Sequence, residues 1–209
     1  MTSSTPSKKS KWKKSLLEWG VLISVILLLY LTGLHTQVIG TFQRGVLSTG
    51  MITPPIPESI DDAPAANMEF YFVDKNSSMK SLADFEGDVI FMNIWATWCP
   101  PCIAEMPSIQ SLYDELQDLP NVSFLLVSVD ENFEIAEEFM ANRNFTLPTY
   151  HFRNKAPGTY SSTVIPTTYV ISPEGKLVME KRGLAKYDTN AFIGFMKELS
   201  EHPSDNGDS

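Results

Sequence analysis

The sequence predicts an α/β domain with a mixed β-sheet flanked by helices, preceded by one N-terminal transmembrane helix. Three features of the 209 residues point there. Apolar, β-prone runs alternate with helix-period segments from Met68 onward, which implies a parallel portion of sheet. The turn tetrapeptide Ser172-Pro173-Glu174-Gly175 joins two late strands as a hairpin, which adds antiparallel pairing. A lysine cluster followed at once by an apolar stretch points to a membrane.

Taken in chain order, residues 1–15 hold Lys8, Lys9, Lys11, Lys13 and Lys14 in a Ser/Thr/Lys-rich segment expected to be disordered. Residues 16–39 form the apolar stretch, interrupted by Glu18 and, towards its end, by Thr32, Gly33, His35, Thr36 and Gln37. With its flanks it reaches the roughly 20 residues a span requires. No Ala-x-Ala cleavage site follows, so an uncleaved anchor is expected rather than a signal peptide. Lysines stay on the cytoplasmic side, which puts the bulk of the chain outside. Residues 40–67 carry Pro54, Pro55, Pro57 and Pro64 and read as a tether. The body is acidic against a net charge of -9, which argues against a nucleic-acid partner because that needs a basic footprint.

The globular domain is expected over residues 68–202. Glu69 to Val73 reads as a short strand, and Ser81 to Gly87 as a helical turn closed by glycine. Val89 to Trp95 is a fully buried strand. Pro100 to about Leu119 is helical, with Ile103, Met106, Ile109, Leu112, Tyr113 and Leu116 at helical spacing. Pro100 and Pro101 fall in its first turn, where a missing N–H costs little, while Pro107 lies inside it. Val122 to Val129 is another apolar strand ending at Asp130. Phe133 to Asn142 is an acidic amphipathic helix, and Thr146 to Phe152 is extended. Thr167 to Ile171 and Lys176 to Arg182 flank the hairpin turn, Asp188 to Leu199 is the last helix, and residues 203–209 form a loose polar tail.

The chemistry lies in the chain's two cysteines, Cys99 and Cys102. A strand leads into them and a helix leads out, which puts one thiol at a helix N-terminus and hides its partner a turn further along. Only a thiolate attacks a disulfide, and helix N–H groups together with the macrodipole favour the anion at Cys99. Cys99 is therefore expected to be the exposed nucleophile and Cys102 the shielded, resolving thiol. Pro100 and Pro101 remove two N–H donors that would point at the sulfur, which moderates that effect. A structural disulfide closing so short a loop stabilises little. Zinc takes four ligands, and His35, His151 and His202 lack the spacing to complete a set, so no metal or other cofactor is expected. His151 reads as a strand-edge side chain.

The pattern Asn-x-Trp-Ala-Thr-Trp-Cys-Pro-Pro-Cys-x-x-Glu-x-Pro over Asn93 to Pro107 resembles the membrane-anchored, thioredoxin-like proteins of the TlpA/ResA/CcmG group. The likeness continues through Val127 to Asp130 and Ile165 to Lys176. The resemblance implies a thioredoxin fold. It also implies that Pro166 is a cis-proline facing the cysteines, that Ile165 and Trp98 line the substrate contact, and that Glu105 assists proton movement at the resolving thiol. Trp95 is expected in the core. Asn93 departs from ordinary thioredoxins, which carry an aspartate there; an amide cannot take a proton, so base work falls to Glu105 or water.

By the same resemblance the protein is an extracytoplasmic thiol–disulfide oxidoreductase, single-pass in a bacterial cytoplasmic membrane, with its domain on the periplasmic side. It would reduce disulfides of exported proteins, apocytochrome c among them, with electrons from a membrane donor of the CcdA/DsbD type. A disulfide-forming oxidase or isomerase shares the motif. However, the stretch from residue 140 to residue 165 is too short for the helical insertion of the DsbA type. A peroxidase on the same fold lacks its usual Pro-x-x-x-Thr-x-x-Cys context here. A non-catalytic binding module would have no use for two intact cysteines.

Overall fold

The computed structural model describes residues 52–152, 158–160 and 164–201, together with residues 15, 18–25, 27, 28, 45, 47 and 50. The chain divides into two compact units, residues 1–39 and 40–209. In the first, residues 18–25 are helical and Trp19, Val21, Leu22, Ile23 and Val25 are exposed. Among the described residues no helix is long and apolar enough to cross a membrane. Most of the anchor expected over 16–39, nearly all of the 1–15 segment and the 203–209 tail lie outside those residues.

The second unit is a seven-stranded mixed sheet. Its strands are β1 (Tyr71–Val73), β2 (Met79–Ser81), β3 (Val89–Trp95), β4 (Val122–Ser128), β5 (Thr149–Phe152), β6 (Thr167–Ile171) and β7 (Leu177–Arg182). Packed with them among the described residues are α1 (Pro100–Leu116), α2 (Phe133–Asn142) and α3 (Asn190–Glu201). The strand order is β2-β1-β5-β4-β3-β6-β7. β3 pairs parallel with β4 and antiparallel with β6, and β6 with β7 makes the expected hairpin, with Gly175 at a φ of 73° in its turn. β3 is buried throughout, as its unbroken apolar run requires.

Alternation along β3 builds two cores. Val89, Phe91 and Trp95 enter one with Met106, Ile109 and Leu112 of α1, Ala136 and Met140 of α2, and Phe192 and Met196 of α3. Ile90, Met92 and Ile94 enter the other with Phe70, Phe72, Leu82 and Tyr160. All three α-helices contribute to the first core. Among the described residues the second is closed by 3-10 turns at Leu82–Phe85 and Gly158–Tyr160 and by packed aromatic rings, Phe70 stacking on Phe152 and meeting Tyr160 edge-on.

Three differences from the sequence reading concern placement. β2 is too short to show a period, and it pairs with β1 as an edge strand. α1 stops at Leu116 because the chain tightens there, Leu119 N–H bonding the Leu116 carbonyl at 3.0 Å. Residues 52–66 lie against the sheet unit: the Ile52 carbonyl accepts from Lys186 N–H, Pro64 from Leu177, and Ala66 N–H donates to Gly175. Pro-rich chain lacks amide donors, yet its carbonyls remain free to accept.

Candidate active site

The chain leaves β3 at Trp95, whose carbonyl accepts from Val129 N–H, and turns so that Cys99 N–H bonds the Ala96 carbonyl at 3.2 Å. This turn is clamped. The Asp130 carboxylate, 4 % exposed, accepts from Thr97 N–H at 3.1 and 3.2 Å, from the Thr97 hydroxyl at 2.7 Å and from the Ser128 hydroxyl at 2.7 Å. Cys99 then caps α1 in extended conformation. Pro100 and Pro101 supply no N–H, so the first helix donor is that of Cys102, which points at Cys99 Sγ from 3.3 Å. Helix geometry thus delivers a single amide to this sulfur.

Cys99 and Cys102 are joined as a disulfide with Cα atoms 5.3 Å apart. The Ile165–Pro166 bond is cis, and the Ile165 carbonyl oxygen lies 3.7 Å from Cys99 Sγ. Trp98 stands 63 % exposed beside the pair, while Trp95 is wholly buried. Cys102 is fully buried as expected, but Cys99 is only 4 % exposed. In the disulfide its sulfur is pressed between Cys102 and the Ile165 carbonyl, so the exposed thiol expected from helix position alone is corrected to a covered one.

Beneath the disulfide lies a polar network with no exposure. Glu105, three residues past Cys102 and so one helical turn inward, is completely buried. Its Oε1 accepts from Asn93 Nδ2 at 2.8 Å and its Oε2 from Ala185 N–H at 3.2 Å. Asn93 Nδ2 also donates to Thr168 Oγ1 at 2.9 Å, which accepts the Tyr187 hydroxyl at 2.6 Å. Burial pushes the Glu105 carboxyl up to about 8, against the opposing pull of the Asn93 and Ala185 hydrogen bonds and of Lys181. Burial likewise drives the Tyr187 hydroxyl well above its ordinary value, with Glu105 adding to it. A carboxyl so raised carries its proton near neutrality.

Of the residues singled out from sequence, Cys99, Pro100, Pro101, Cys102, Ile165 and Pro166 converge on one spot. Trp98 flanks it and Glu105 lies under it. His151 sits on β5 between β1 and β4, not at an edge; its Nε2 is 2.8 Å from the Asp130 carbonyl and its ring stacks on Phe133. Sequence reasoning missed Thr97, Asp130, Thr168, Ala185 and Tyr187. Asp130 had a local signal, a carboxylate closing a buried strand opposite the strand that carries the cysteines. Thr97 and Thr168 lie within the stretches that carry the family resemblance, while Ala185 and Tyr187 had no local signal. Among the described residues no cluster of His, Cys, Asp or Glu side chains is placed to hold a metal ion.

A dithiol/disulfide pair at a helix N-terminus, set against a cis-proline on a mixed sheet, defines a thioredoxin-like thiol–disulfide oxidoreductase. The chain belongs to the AhpC/TSA family, which matches residues 61–179. It is 35 % identical over 141 residues to the thiol-disulfide oxidoreductase ResA of Oceanobacillus iheyensis, covering 67 % of this chain and 72 % of that one. It is 31 % identical over 110 residues to ResA of Bacillus cereus, covering 52 % of this chain and 63 % of that one. Among solved structures, a DsbF homologue from Corynebacterium diphtheriae superposes with a TM-score of 0.55 at 24 % identity. That match covers 71 % of this chain and 94 % of the other and bears on the fold alone.

Proposed function

We propose that residues 68–202 form an extracytoplasmic reductase that opens disulfides in exported proteins, held at the membrane by the segment at 16–39. One observation carries this reading: the covered Cys99–Cys102 disulfide, facing Ile165 and Pro166, with the buried Glu105 one helical turn past Cys102. In the reduced protein the Cys99 thiolate attacks a substrate disulfide. A Cys99–substrate bond forms and one substrate sulfur leaves as a thiolate. Cys102 gives its proton to Glu105, and its sulfur attacks Cys99 Sγ. The second substrate thiolate is released and the Cys99–Cys102 bond is restored.

Two electrons have then passed to the substrate, and Glu105 holds a proton against the next cycle. When an external dithiol reopens the disulfide, that proton returns to the departing Cys102 sulfur. Trp98 and Ile165 provide an apolar rim, and Pro166 holds the substrate backbone alongside. Pro100 and Pro101 limit the amide donors at Cys99, which keeps the disulfide easier to retain and the dithiol more reducing. An apocytochrome c carrying a CxxCH pair is the substrate we favour, with a membrane dithiol donor of the CcdA/DsbD type resupplying electrons.

Equilibrium titration of the Cys99/Cys102 couple against glutathione tests the direction. A potential well below that of the glutathione pool supports a reductase. A potential as oxidising as that of DsbA, about −120 mV, overturns it in favour of disulfide formation.

A further inference from the structure

Asn93 lies in the middle of β3 with no exposure, and one of its two terminal atoms makes every hydrogen bond the side chain has. Nδ2 donates both to Glu105 Oε1 and to Thr168 Oγ1. Oδ1 is buried without a hydrogen-bond partner among the described residues. This orientation suits a charged Glu105, which then receives N–H groups on both oxygens, from Asn93 and from Ala185. A neutral Glu105 must donate its own proton, and here it meets donors.

Turning the amide half a revolution exchanges nitrogen and oxygen in nearly the same space. Oδ1 then accepts from the Glu105 O–H and from the Thr168 O–H, while Thr168 Oγ1 continues to accept from Tyr187. The two mismatched combinations are both poor. A turned amide against a charged carboxylate sets acceptor against acceptor, and an unturned amide against a neutral acid sets donor against donor. Each forfeits the bond to the carboxyl, which biases the pairing by roughly tenfold; the turned amide also carries its N–H groups to the position where Oδ1 finds no partner among the described residues, a cost its bonds to Glu105 and Thr168 have to offset.

We propose that Asn93 is a positioning residue for the thiol–disulfide reaction: its amide reverses as Glu105 gains or loses its proton, and the Thr168 hydroxyl reverses with it. The carboxyl is thereby hydrogen-bonded in both states, so a proton can enter or leave without opening the core. This rests on the reading of Glu105 as the proton carrier for Cys102. The other titratable groups acting on Glu105 are Lys181 from β7, which favours the charged form, and Tyr187, which stays neutral in its buried setting.

The test uses the full chain in its disulfide form, where neither cysteine titrates. NMR follows the Glu105 carboxyl carbon and the Asn93 side-chain amide from about pH 6 to about pH 9, a range that spans the midpoint of the buried carboxyl and ends more than one unit below lysine's usual value. The Asn93 amide protons should shift with the same midpoint as the Glu105 carboxyl. In Asn93→Leu both forms of the carboxyl lose their amide bond, so the Glu105 midpoint should move by less than about one pH unit, whereas an amide fixed as a donor serves only the charged form and its loss should raise the midpoint by about one unit or more. An Asn93 amide that stays constant through the Glu105 titration overturns the proposal, as does a rise of that size in Asn93→Leu. Neither readout depends on turnover, so a wild-type chain that fails to reduce disulfides would refute the reductase reading separately.

Discussion

Two buried carboxyls flank the disulfide, Asp130 on the loop that follows β4 and Glu105 on the helix that carries Cys102, and their surroundings differ in kind. Asp130 receives a backbone N–H and two hydroxyl protons, and its own N–H bonds back to the Ser128 hydroxyl at 3.0 Å. Glu105 receives two N–H groups, one of them through an amide whose oxygen is orphaned. Both are almost or wholly removed from water. A carboxylate saturated with donors is a fixed clamp, whereas one short of donors is held near the point of taking a proton. The contrast shows that two buried carboxyls can be partnered very differently, by a backbone N–H and two hydroxyls at Asp130 and by two N–H groups at Glu105.

The largest effect should come from taking away the group Glu105 serves while leaving the Asp130 clamp intact. Cys102→Ala should reduce turnover to background and accumulate a Cys99-linked mixed disulfide, visible by non-reducing mass spectrometry. A variant that released substrate normally would break the division of labour between the cysteines. Next in size is the dependence of stability on pH. Burial pushes the Glu105 carboxyl from its ordinary 4.5 up to about 8 in the folded protein, so the folded state binds more protons between those values. Its contribution is fully present below about pH 4.5 and is lost as pH rises through about 8, on the order of 5 kcal/mol in all. Denaturant unfolding of the disulfide form should show that decline in the wild type and a flatter profile in Glu105→Gln.

Removing the clamp probes the other carboxyl. Asp130→Ala leaves the Thr97 N–H and two hydroxyls without their acceptor and should cost about 3 kcal/mol of stability. Turnover at saturating substrate should fall less than it does for Glu105→Gln. That variant, which should fold normally, is expected to slow turnover by about 100-fold and to lose the arm of its pH–rate profile near 8. Equal kinetic losses in the two variants would erase the contrast. The smallest effect belongs to the exposed rim. Trp98→Ala should raise KM for a protein disulfide a few-fold and change stability by less than about 0.5 kcal/mol.

Much of the fold was legible in advance because apolar spacing is a local property. β3, β6 and α2 fall on the expected residues, and the cysteine pair with its two prolines announced both a helix start and its chemistry. The strand β2, the 3-10 turn at Gly158–Tyr160 and the seating of residues 52–66 were not legible, since short segments carry no period and their partners lie far along the chain. The candidate site divides the same way. Glu105 could be named from the resemblance of its motif to the TlpA/ResA/CcmG group, but nothing near it in sequence indicates the Ala185 amide 80 positions away or Tyr187 above Thr168.

The sequence by itself determined where strands and helices form, that one sulfur caps a helix, and that two prolines deny that sulfur its nearest amides. Those follow from side-chain shape, backbone donors and spacing within a few residues. Only the tertiary structure decided that Cys99 is covered, that Glu105 is stripped of water, and that Asn93 and Thr168, 75 positions apart, share a hydrogen bond beside it. The physical reason is that desolvation and hydrogen-bond pairing depend on which distant segments close over a group, and that is settled when the sheet and helices pack together.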